Sequence, residues 1–130
     1  MQYRRLEKLG IEVSAFGMGC MRFPMKDDGQ GGREVDESIS TPIIRHAIDN
    51  GLNYVDTAYV YSDKKNEKAV AHALRDGYRE KVYLATKIPT WDIHSPEDMD
   101  RLLEEQLANL ETDHIDFYLV RSLNKGTWTK

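Results

Sequence analysis

The sequence predicts an α/β fold built on parallel strands, and two observations support that prediction. Short apolar runs alternate with segments of helical periodicity, and a parallel return between strands needs a connection long enough to form a helix. Three charged residues, Asp56, Lys87 and Arg121, close successive runs and lie 31 and 34 residues apart. This spacing suits a doubly wound open sheet or a (β/α)8 barrel, and it slightly favours the barrel, in which ~250 residues are divided among eight units.

The amino-terminal part predicts a hairpin, one inner strand and a loop. Residues 3–14 contain two β-prone runs around a turn at residues 8–10. The small apolar stretch over residues 15–19 predicts the first inner strand. Residues 21–32, with a proline, three glycines and no periodicity, predict a long surface loop.

The first helix is predicted to begin at the pair Thr41-Pro42. Threonine is a common N-cap residue, and proline fits the first helical position because its missing N–H would have no partner there. An apolar stripe runs through residues 43–48, and Gly51 follows as a stop signal.

The same alternation continues to the end of the chain. Strands are predicted over residues 52–57, 82–86 and 115–120, where the runs are short, apolar and rich in β-branched or aromatic residues. Helical periodicity covers residues 67–76, and a capping-box pattern at residues 95–98 opens a third helix. The chain therefore predicts a hairpin followed by four β/α units in one domain over residues 1–130.

Charge and hydrophobicity narrow the functional classes. The chain has 18 Lys and Arg against 22 Asp and Glu, a formal net charge of −4, which gives no basic excess for binding nucleic acid. No apolar run approaches the ~18 residues of a membrane span. We therefore expect neither nucleic acid nor membrane as a partner.

Cysteine and histidine usage bears on redox chemistry and metals. Cys20 is the only cysteine, which excludes an internal disulfide and sites needing several thiolates, and which suits a reducing, cytoplasmic setting. The 4 histidines are scattered without metal-ligand spacing. We expect no metal, so any redox chemistry would use a borrowed cofactor.

Charged side chains end three neighbouring strands of the predicted sheet. Asp56, Lys87 and Arg121 lie at carboxyl ends, which share one rim in either architecture and which form the active sites of α/β proteins. Tyr61 follows the strand that carries Asp56 and can reach the same rim. The four residues are therefore candidate catalytic residues, although an ion pair capping the sheet beside a structural tyrosine explains them as well.

The chemical interest of this set is proton donation by the phenol. A tyrosine with a pKa of ~10 is a poor acid at neutral pH, and a nearby ammonium stabilises the phenolate that remains after donation. Lys87 can therefore tune Tyr61. A partly desolvated ammonium needs a counter-charge, which Asp56 can supply.

Several separated motifs resemble the aldo-keto reductase superfamily. They are, in chain order, LGIEVSAFGMGCMR, YVDTAYVY, YLATK and LEEQLANLETDHIDFYLVRSLN. The resemblance covers nearly the whole chain, and the segment LNKGTW is most similar to microbial members that often carry a carboxyl-terminal iron–sulfur extension.

The resemblance implies a (β/α)8 barrel that uses NADPH to reduce aldehydes or ketones. In this family hydride is transferred to the carbonyl carbon while a tyrosine protonates its oxygen. The implied catalytic residues are Asp56, Tyr61, Lys87 and a histidine. By the same resemblance Gly19, Cys20, Met21 and Asp56 line the nicotinamide and the carbonyl substrate.

Arg121 stands where the family pattern has histidine. A guanidinium stays protonated, has no acceptor nitrogen and is longer than imidazole, so it cannot serve as the same proton partner. It can instead polarise a carbonyl or bind a carboxylate. We expect turnover to be reduced.

The chain length corresponds to the first four units of a barrel that needs ~250 residues. The phosphate-binding loops of the later strands are outside it, so we expect no tight binding of NADPH by this chain alone. Exposed edges on its first and fourth strands favour pairing with another copy, which predicts that such a half-barrel forms a homo-oligomer, swaps an element with another copy or stays loosely folded. A noncatalytic half-barrel that acts as an assembly or binding module is the alternative function.

Overall fold

The computed structural model describes residues 1–126 and 128, so three positions of the predicted domain, 127, 129 and 130, lie outside the described residues. The strands are β1 Tyr3–Leu6, β2 Ile11–Ser14, β3 Met18–Gly19, β4 Met25–Asp27, β5 Arg33–Val35, β6 Tyr54–Asp56, β7 Tyr83–Pro89 and β8 Phe117–Arg121. The α-helices are α1 Glu37–Asp49, α2 Asn66–Ala73 and α3 Pro96–Asn109. Single 3₁₀ turns lie at Arg79–Lys81 and Thr90–Asp92.

The central sheet has the strand order β3-β6-β7-β8, and each neighbouring pair is parallel. This confirms the sequential order that the alternation of elements predicts. β3 is shorter than the expected strand over residues 15–19. β7 is longer than predicted and continues to Pro89, because its last residues pair with β8, so Lys87 lies inside the strand opposite Leu119.

The two faces of this sheet have different surroundings. Val55, Leu84 and Ile88 alternate along their strands and pack into the two apolar clusters beneath the helices. We call this side the helix face. The opposite side, the inner face, carries a cluster of aromatic rings in which Phe117 lies 5.2 Å from Tyr54 and 6.4 Å from Tyr83, measured between centroids.

Helix α1 begins earlier than predicted. Asp36 is its N-cap, and its side chain accepts a hydrogen bond of 3.1 Å from the backbone N–H of Ser38. Pro42 therefore lies inside the helix rather than at its first position. Proline is tolerated there because the carbonyl it leaves without a helical donor belongs to Ser38, which is exposed to water.

The predicted loop over residues 21–32 is also only partly a loop. β4 and β5 form a short antiparallel hairpin. Gly29 and Gly31 turn the chain with φ of 75° and 87°, and the side chain of Asp28 accepts hydrogen bonds from the backbone N–H groups of Gln30 and Gly32. The polar three-residue strands of this hairpin carry no alternation from which the sequence could predict them.

The sequence predicts the start of α3 correctly but not the end of α2. α2 ends at Ala73 rather than at residue 76, because Asp76 and Gly77 already have left-handed φ values of 61° and 81°. α3 begins as predicted, with the Asp98 side chain accepting a hydrogen bond of 3.0 Å from the backbone N–H of Ser95.

The β1-β2 hairpin is attached at the amino end of the central sheet. The side-chain oxygen of Asn53 accepts a hydrogen bond of 2.7 Å from the Ser14 N–H, and its amide donates to the Glu12 carbonyl at 2.9 Å. Because the hairpin occupies the amino end of the sheet, only the carboxyl ends of the four strands remain for a site, at the opposite edge. These strands are residues 18–19, 54–56, 83–89 and 117–121. Within the described residues no helix is both long and apolar enough to cross a membrane.

Candidate active site

Strand register brings the predicted site residues together on the inner face. Asp56 pairs with Ala85, Lys87 pairs with Leu119, and Arg121 is two residues beyond Leu119. Each step to the next strand thus advances by two residues. Because side chains alternate with a period of two, all three charged side chains belong to the same face.

Lys87 and Asp56 form a half-buried ion pair. The Lys87 Nζ donates to Asp56 Oδ1 at 2.6 Å and to the Thr57 carbonyl oxygen at 2.7 Å. The two charged side chains are 17% and 27% exposed, so water screens the pair less than it screens a surface ion pair. This is the ion pair that the sequence predicts between the second and third inner strands.

The ring of Tyr61 lies close to two cations. Its ring centroid is 5.2 Å from the Lys87 Nζ and 5.1 Å from the Arg121 Cζ, both within the range of cation–π attraction. The structure therefore brings all four predicted catalytic residues together, with the ammonium and the guanidinium both close to the tyrosine ring.

The turn after Tyr61 has an unusual backbone. Ser62, Asp63 and Lys64 have φ values of 50°, 53° and 66°, in the left-handed region that residues with a Cβ seldom occupy. The turn is closed by backbone bonds from Lys65 to Ser62 at 3.0 Å and from residue 66 to Tyr61 at 3.3 Å. Three consecutive left-handed residues thus fix where the tyrosine leaves the loop.

The predicted cofactor-lining segment follows β3. Gly19 pairs with Asp56, and a Cβ at this glycine would meet no atom within 4 Å, so open space lies beside the ion pair. Met21 is 49% exposed. The edge of the sheet beside Gly19 is therefore open and partly apolar.

Cys20 differs from its two neighbours because it is fully buried. Its N–H donates to the Asp56 carbonyl at 2.9 Å, and its own carbonyl accepts from the Asn66 side chain at 2.9 Å. Burial, with a smaller effect of the Asp56 charge, raises the pKa of the Cys20 thiol to about 12. Its side chain packs in the core of the helix face, so Cys20 holds this segment in place.

Asn66 is a residue that the sequence analysis missed. Its fully buried side chain donates to the Cys20 carbonyl at 2.9 Å and to Ser62 Oγ at 3.3 Å, and it accepts from Thr57 Oγ1 at 2.7 Å. It therefore joins the three segments that carry Gly19, Asp56 and Tyr61. The only sequence signal was an asparagine just before a helical stripe, a pattern that ordinarily indicates a cap.

A second buried polar cluster lies behind Lys87 on the helix face. Glu67 Oε1 accepts hydrogen bonds from Thr86 Oγ1 at 2.7 Å and from the Gln106 amide at 2.6 Å, and Glu67 Oε2 accepts from the Asn109 amide at 3.2 Å. Desolvation raises the pKa of Glu67 despite these donors. The Gln106 amide also donates to the Lys87 carbonyl at 3.3 Å, which ties β7 to α3.

The raised pKa of Glu67 predicts a pH-dependent stability. Because the folded carboxyl binds its proton more tightly than the unfolded one, its contribution is complete below the ordinary pKa of 4.5 and is lost as pH rises through the folded value. The difference in unfolding free energy between wild type and Glu67→Gln should therefore fall as the pH rises from 4.5 to 7.5. The expected fall is about 1.4 kcal/mol for each tenfold difference in the proton affinity of Glu67 between the folded and the unfolded chain.

Urea unfolding at both pH values measures this difference. Glu104→Gln, at an exposed position of helix α3, whose Gln106 bonds to Glu67, is the matched control and should leave the pH dependence unchanged. A wild-type advantage over Glu67→Gln that grows toward pH 7.5 would contradict the prediction.

Metal coordination finds no support in the described part of the chain. No group of three or more His, Cys, Asp or Glu side chains there is arranged to hold an ion. His72 instead contacts Glu37, with 2.9 Å between its Nδ1 and Glu37 Oε2.

The parallel sheet is that of an α/β protein of the barrel type. The charged cluster at the carboxyl ends of its strands is a candidate proton-transfer site. The sequence profile of the Aldo/keto reductase family matches residues 15–124. The chain belongs to the aldo/keto reductase family. The resemblance noted from the sequence motifs is thereby confirmed.

Individual relatives agree with this assignment. The chain is 34% identical to the uncharacterized oxidoreductase YrpG of Bacillus subtilis, covering 98% of this chain and 42% of that protein. It is 34% identical to a probable aldo-keto reductase of Glycine max, over 88% of this chain and 34% of the relative. The chain thus spans about two fifths or less of the length of these relatives.

Solved structures show the same relationship. An aldo/keto reductase from Klebsiella pneumoniae, crystallised with NADP and acetate, superposes with a TM-score of 0.71 at 31% identity, over 86% of this chain and 36% of that one. A thermostable aldo-keto reductase in complex with the inhibitor epalrestat gives 0.78 at 27% identity, over 97% and 44%. These neighbours are (β/α)8 barrels, and the four-stranded sheet corresponds to their amino-terminal part.

Proposed function

We propose that residues 1–130 belong to one domain and supply the catalytic wall of an NADPH-dependent reductase that converts aldehydes or ketones to alcohols. One observation carries this proposal: the Lys87 Nζ lies 2.6 Å from Asp56 Oδ1 and 5.2 Å from the Tyr61 ring centroid. A relative from Klebsiella pneumoniae crystallised in complex with NADPH supports the cofactor.

Each residue has a distinct role in this reaction. A bound reduced nicotinamide supplies the hydride that the carbonyl carbon accepts. Tyr61 donates its hydroxyl proton to the carbonyl oxygen, so the products are an alcohol, the oxidised cofactor and a phenolate that solvent reprotonates. Lys87 stabilises that phenolate, and Asp56 holds the ammonium in position and balances its charge.

The cofactor edge is assigned to Gly19, Met21 and Asp56. Gly19 leaves open space beside the ion pair, and the exposed Met21 can cover one side of a planar ring. Cys20 contributes by position, since its N–H and carbonyl are already bonded. These residues fit the nicotinamide end of the cofactor.

A matched pair of tyrosine variants tests the role of Tyr61. In a full-length chimera that joins these residues to the later barrel units of YrpG, Tyr61→Phe should lower kcat by about 10²–10⁴-fold, the usual contribution of a positioned proton donor. Tyr59→Phe is the control on the same loop, because the Tyr59 hydroxyl donates to Glu105 at 2.9 Å and is outside the ion-pair cluster. Loss of NADPH consumption in Tyr59→Phe as well would indicate a folding defect. Full activity in both variants would contradict the assignment.

A noncatalytic assembly module is the second candidate function. β8 is an end strand of the described sheet, and Leu119 and Val120 on it are 39% and 53% exposed. Such an edge pairs readily with another chain, so a homo-oligomer is the expected form of the chain alone in the cytoplasm.

Sedimentation velocity tests this second function. A charged side chain blunts a sheet edge, so Val120→Lys should shift wild-type oligomers toward monomers, whereas Lys68→Glu on exposed α2 surface should not. If the wild-type chain is still a monomer at about 100 µM, near the upper concentration of an ordinary experiment, assembly through β8 is excluded.

A further inference from the structure

The guanidinium of Arg121 is the unused polar group of this site. Its Nε is buried and has no hydrogen-bond partner, and its Cζ lies 5.1 Å from the centroid of the Tyr61 ring. Other partly buried arginines are engaged: Arg79, for example, donates to Asp116 Oδ2 at 2.9 Å and to Thr112 Oγ1 at 3.1 Å. A buried donor without an acceptor is unfavourable, so this one is suited to a ligand that supplies the acceptor.

The charge balance of the inner face indicates the sign of that ligand. Lys87 and Arg121 bring two positive charges to the Tyr61 ring, and Asp56 is already bonded to Lys87. No carboxylate of the described chain lies within 4.0 Å of the Arg121 guanidinium. The surplus positive charge is therefore on Arg121, where it attracts an anion.

The geometry of a guanidinium indicates which anion. The Arg121 Cζ lies 5.1 Å from the Tyr61 ring centroid, and the Nε of the planar guanidinium has no hydrogen-bond partner. Two parallel donors match the two oxygens of a carboxylate, which neither an imidazole nor an ammonium can match in the same way. Both cations lie about 5 Å from one ring centroid, so an anion on Arg121 is adjacent to the proton donor.

We propose that Arg121 is a carboxylate receptor that selects short oxo acids, in which the carbonyl lies one or a few bonds from the carboxylate. This inference rests on the proposed reductase function for its substrate class. In this arrangement the substrate carboxylate occupies the free donors of Arg121, and the neighbouring carbonyl oxygen faces the Tyr61 hydroxyl. The arginine that replaces the family's histidine then determines specificity as well as lowering turnover.

Carboxylate binding is measured on the 130-residue chain without cofactor. Pyruvate is titrated while the Nε–Hε resonances of the arginines are recorded by NMR, and acetone at equal concentrations is the neutral probe. We expect a saturable shift of the Arg121 resonance with pyruvate and none with acetone. Arg45, Arg75 and Arg79, which already have protein partners, are internal controls.

Two substitutions separate charge from geometry. Arg121→Gln should abolish the saturable response seen at neighbouring amides, and Arg121→Lys, which keeps the charge without the paired donors, should weaken pyruvate binding at least tenfold. An equal response to sodium chloride at the same ionic strength, equal affinity in Arg121→Lys, or equal shifts at all arginines would overturn the proposal.

Specificity in the completed enzyme is the second measurement. In the chimera with YrpG, the ratio of kcat/KM for pyruvate to kcat/KM for acetone should fall at least tenfold on Arg121→His, and an unchanged ratio would overturn the proposal. Failure of the reductase function would be distinct, because it would remove turnover of both substrates and leave the NMR response to pyruvate intact.

Discussion

A polypeptide of these 130 residues, assayed alone with NADPH and a simple aldehyde, is expected to show no turnover above the rate without protein. Reduction requires the hydride donor to be held within a few ångströms of the carbonyl, and such positioning accounts for about 7–11 kcal/mol of the barrier. In the proposed function the described residues supply a proton donor and one edge of a nicotinamide site, whereas the relatives are more than twice as long as this chain. Positioning of the cofactor is therefore the larger missing contribution.

Four proteins separate positioning from proton handling: the chain alone and the YrpG chimera, each with Arg121 and with Arg121→His. We expect the histidine variant of the chain alone to remain inactive. In the chimera, the same substitution should raise kcat for simple aldehydes more than it changes the KM for NADPH, because it alters a transition-state contact. Robust turnover by the unmodified chain would show that cofactor positioning does not depend on the later units.

Asn66→Ala is expected to lose about 2–6 kcal/mol of unfolding free energy. The substitution leaves the buried Thr57 hydroxyl without its acceptor and the buried Cys20 carbonyl without its donor, and each such group costs about 1–3 kcal/mol. Urea unfolding monitored by fluorescence measures the change. Asn50→Ala is the matched control: its amide donates to the His46 carbonyl in an exposed setting, so about 1 kcal/mol or less is expected.

A double-mutant cycle assigns this loss to the shared hydrogen bond. Thr57→Val removes the hydroxyl that Asn66 accepts from, so the two substitutions should be less than additive by about 1 kcal/mol. Strict additivity would mean that the Thr57–Asn66 hydrogen bond contributes nothing to stability. Because the Thr57 carbonyl also accepts from Lys87, Asn66→Ala should disturb the ion pair in a completed enzyme as well.

The sheet and its charged rim could be predicted because both follow from short-range patterns. Alternation of apolar runs and helical stripes determines the strand order, and period-two alternation places Asp56, Lys87 and Arg121 on one face. The ion pair then follows from the need of a partly buried ammonium for a counter-charge.

The misplaced boundaries have local physical reasons. Thr41-Pro42 is a strong helix-start signal, but the aspartate at residue 36 caps the helix a full turn earlier, and an exposed carbonyl makes the internal proline tolerable. The β4-β5 hairpin depends on side-chain bonds of Asp28 to backbone N–H groups, which composition alone does not indicate. Both cases are decided by side-chain hydrogen bonds to backbone N–H groups rather than by periodicity.

The residues that hold the site could not be predicted for a different reason. Asn66 bonds to residues 20 and 57, and the Glu67 cluster joins α2, β7 and α3. These contacts link segments distant in sequence, so they appear only when the chain is folded. The missing hydrogen-bond partner of the Arg121 Nε is likewise a property of its surroundings and not of its sequence position.

The left-handed turn at Ser62, Asp63 and Lys64 makes this loop a site of local frustration. Each residue there works against the preference of an L-amino acid by roughly 1–2 kcal/mol, and glycine would remove that conflict. The tertiary contacts that hold the turn, through Asn66 and through Lys65 to Asp28, therefore also hold the phenol of Tyr61. Rigidity of Tyr61, the proposed proton donor, is thus gained at the expense of local stability, and substitutions that relax the turn would trade orientation of Tyr61 for a more stable fold.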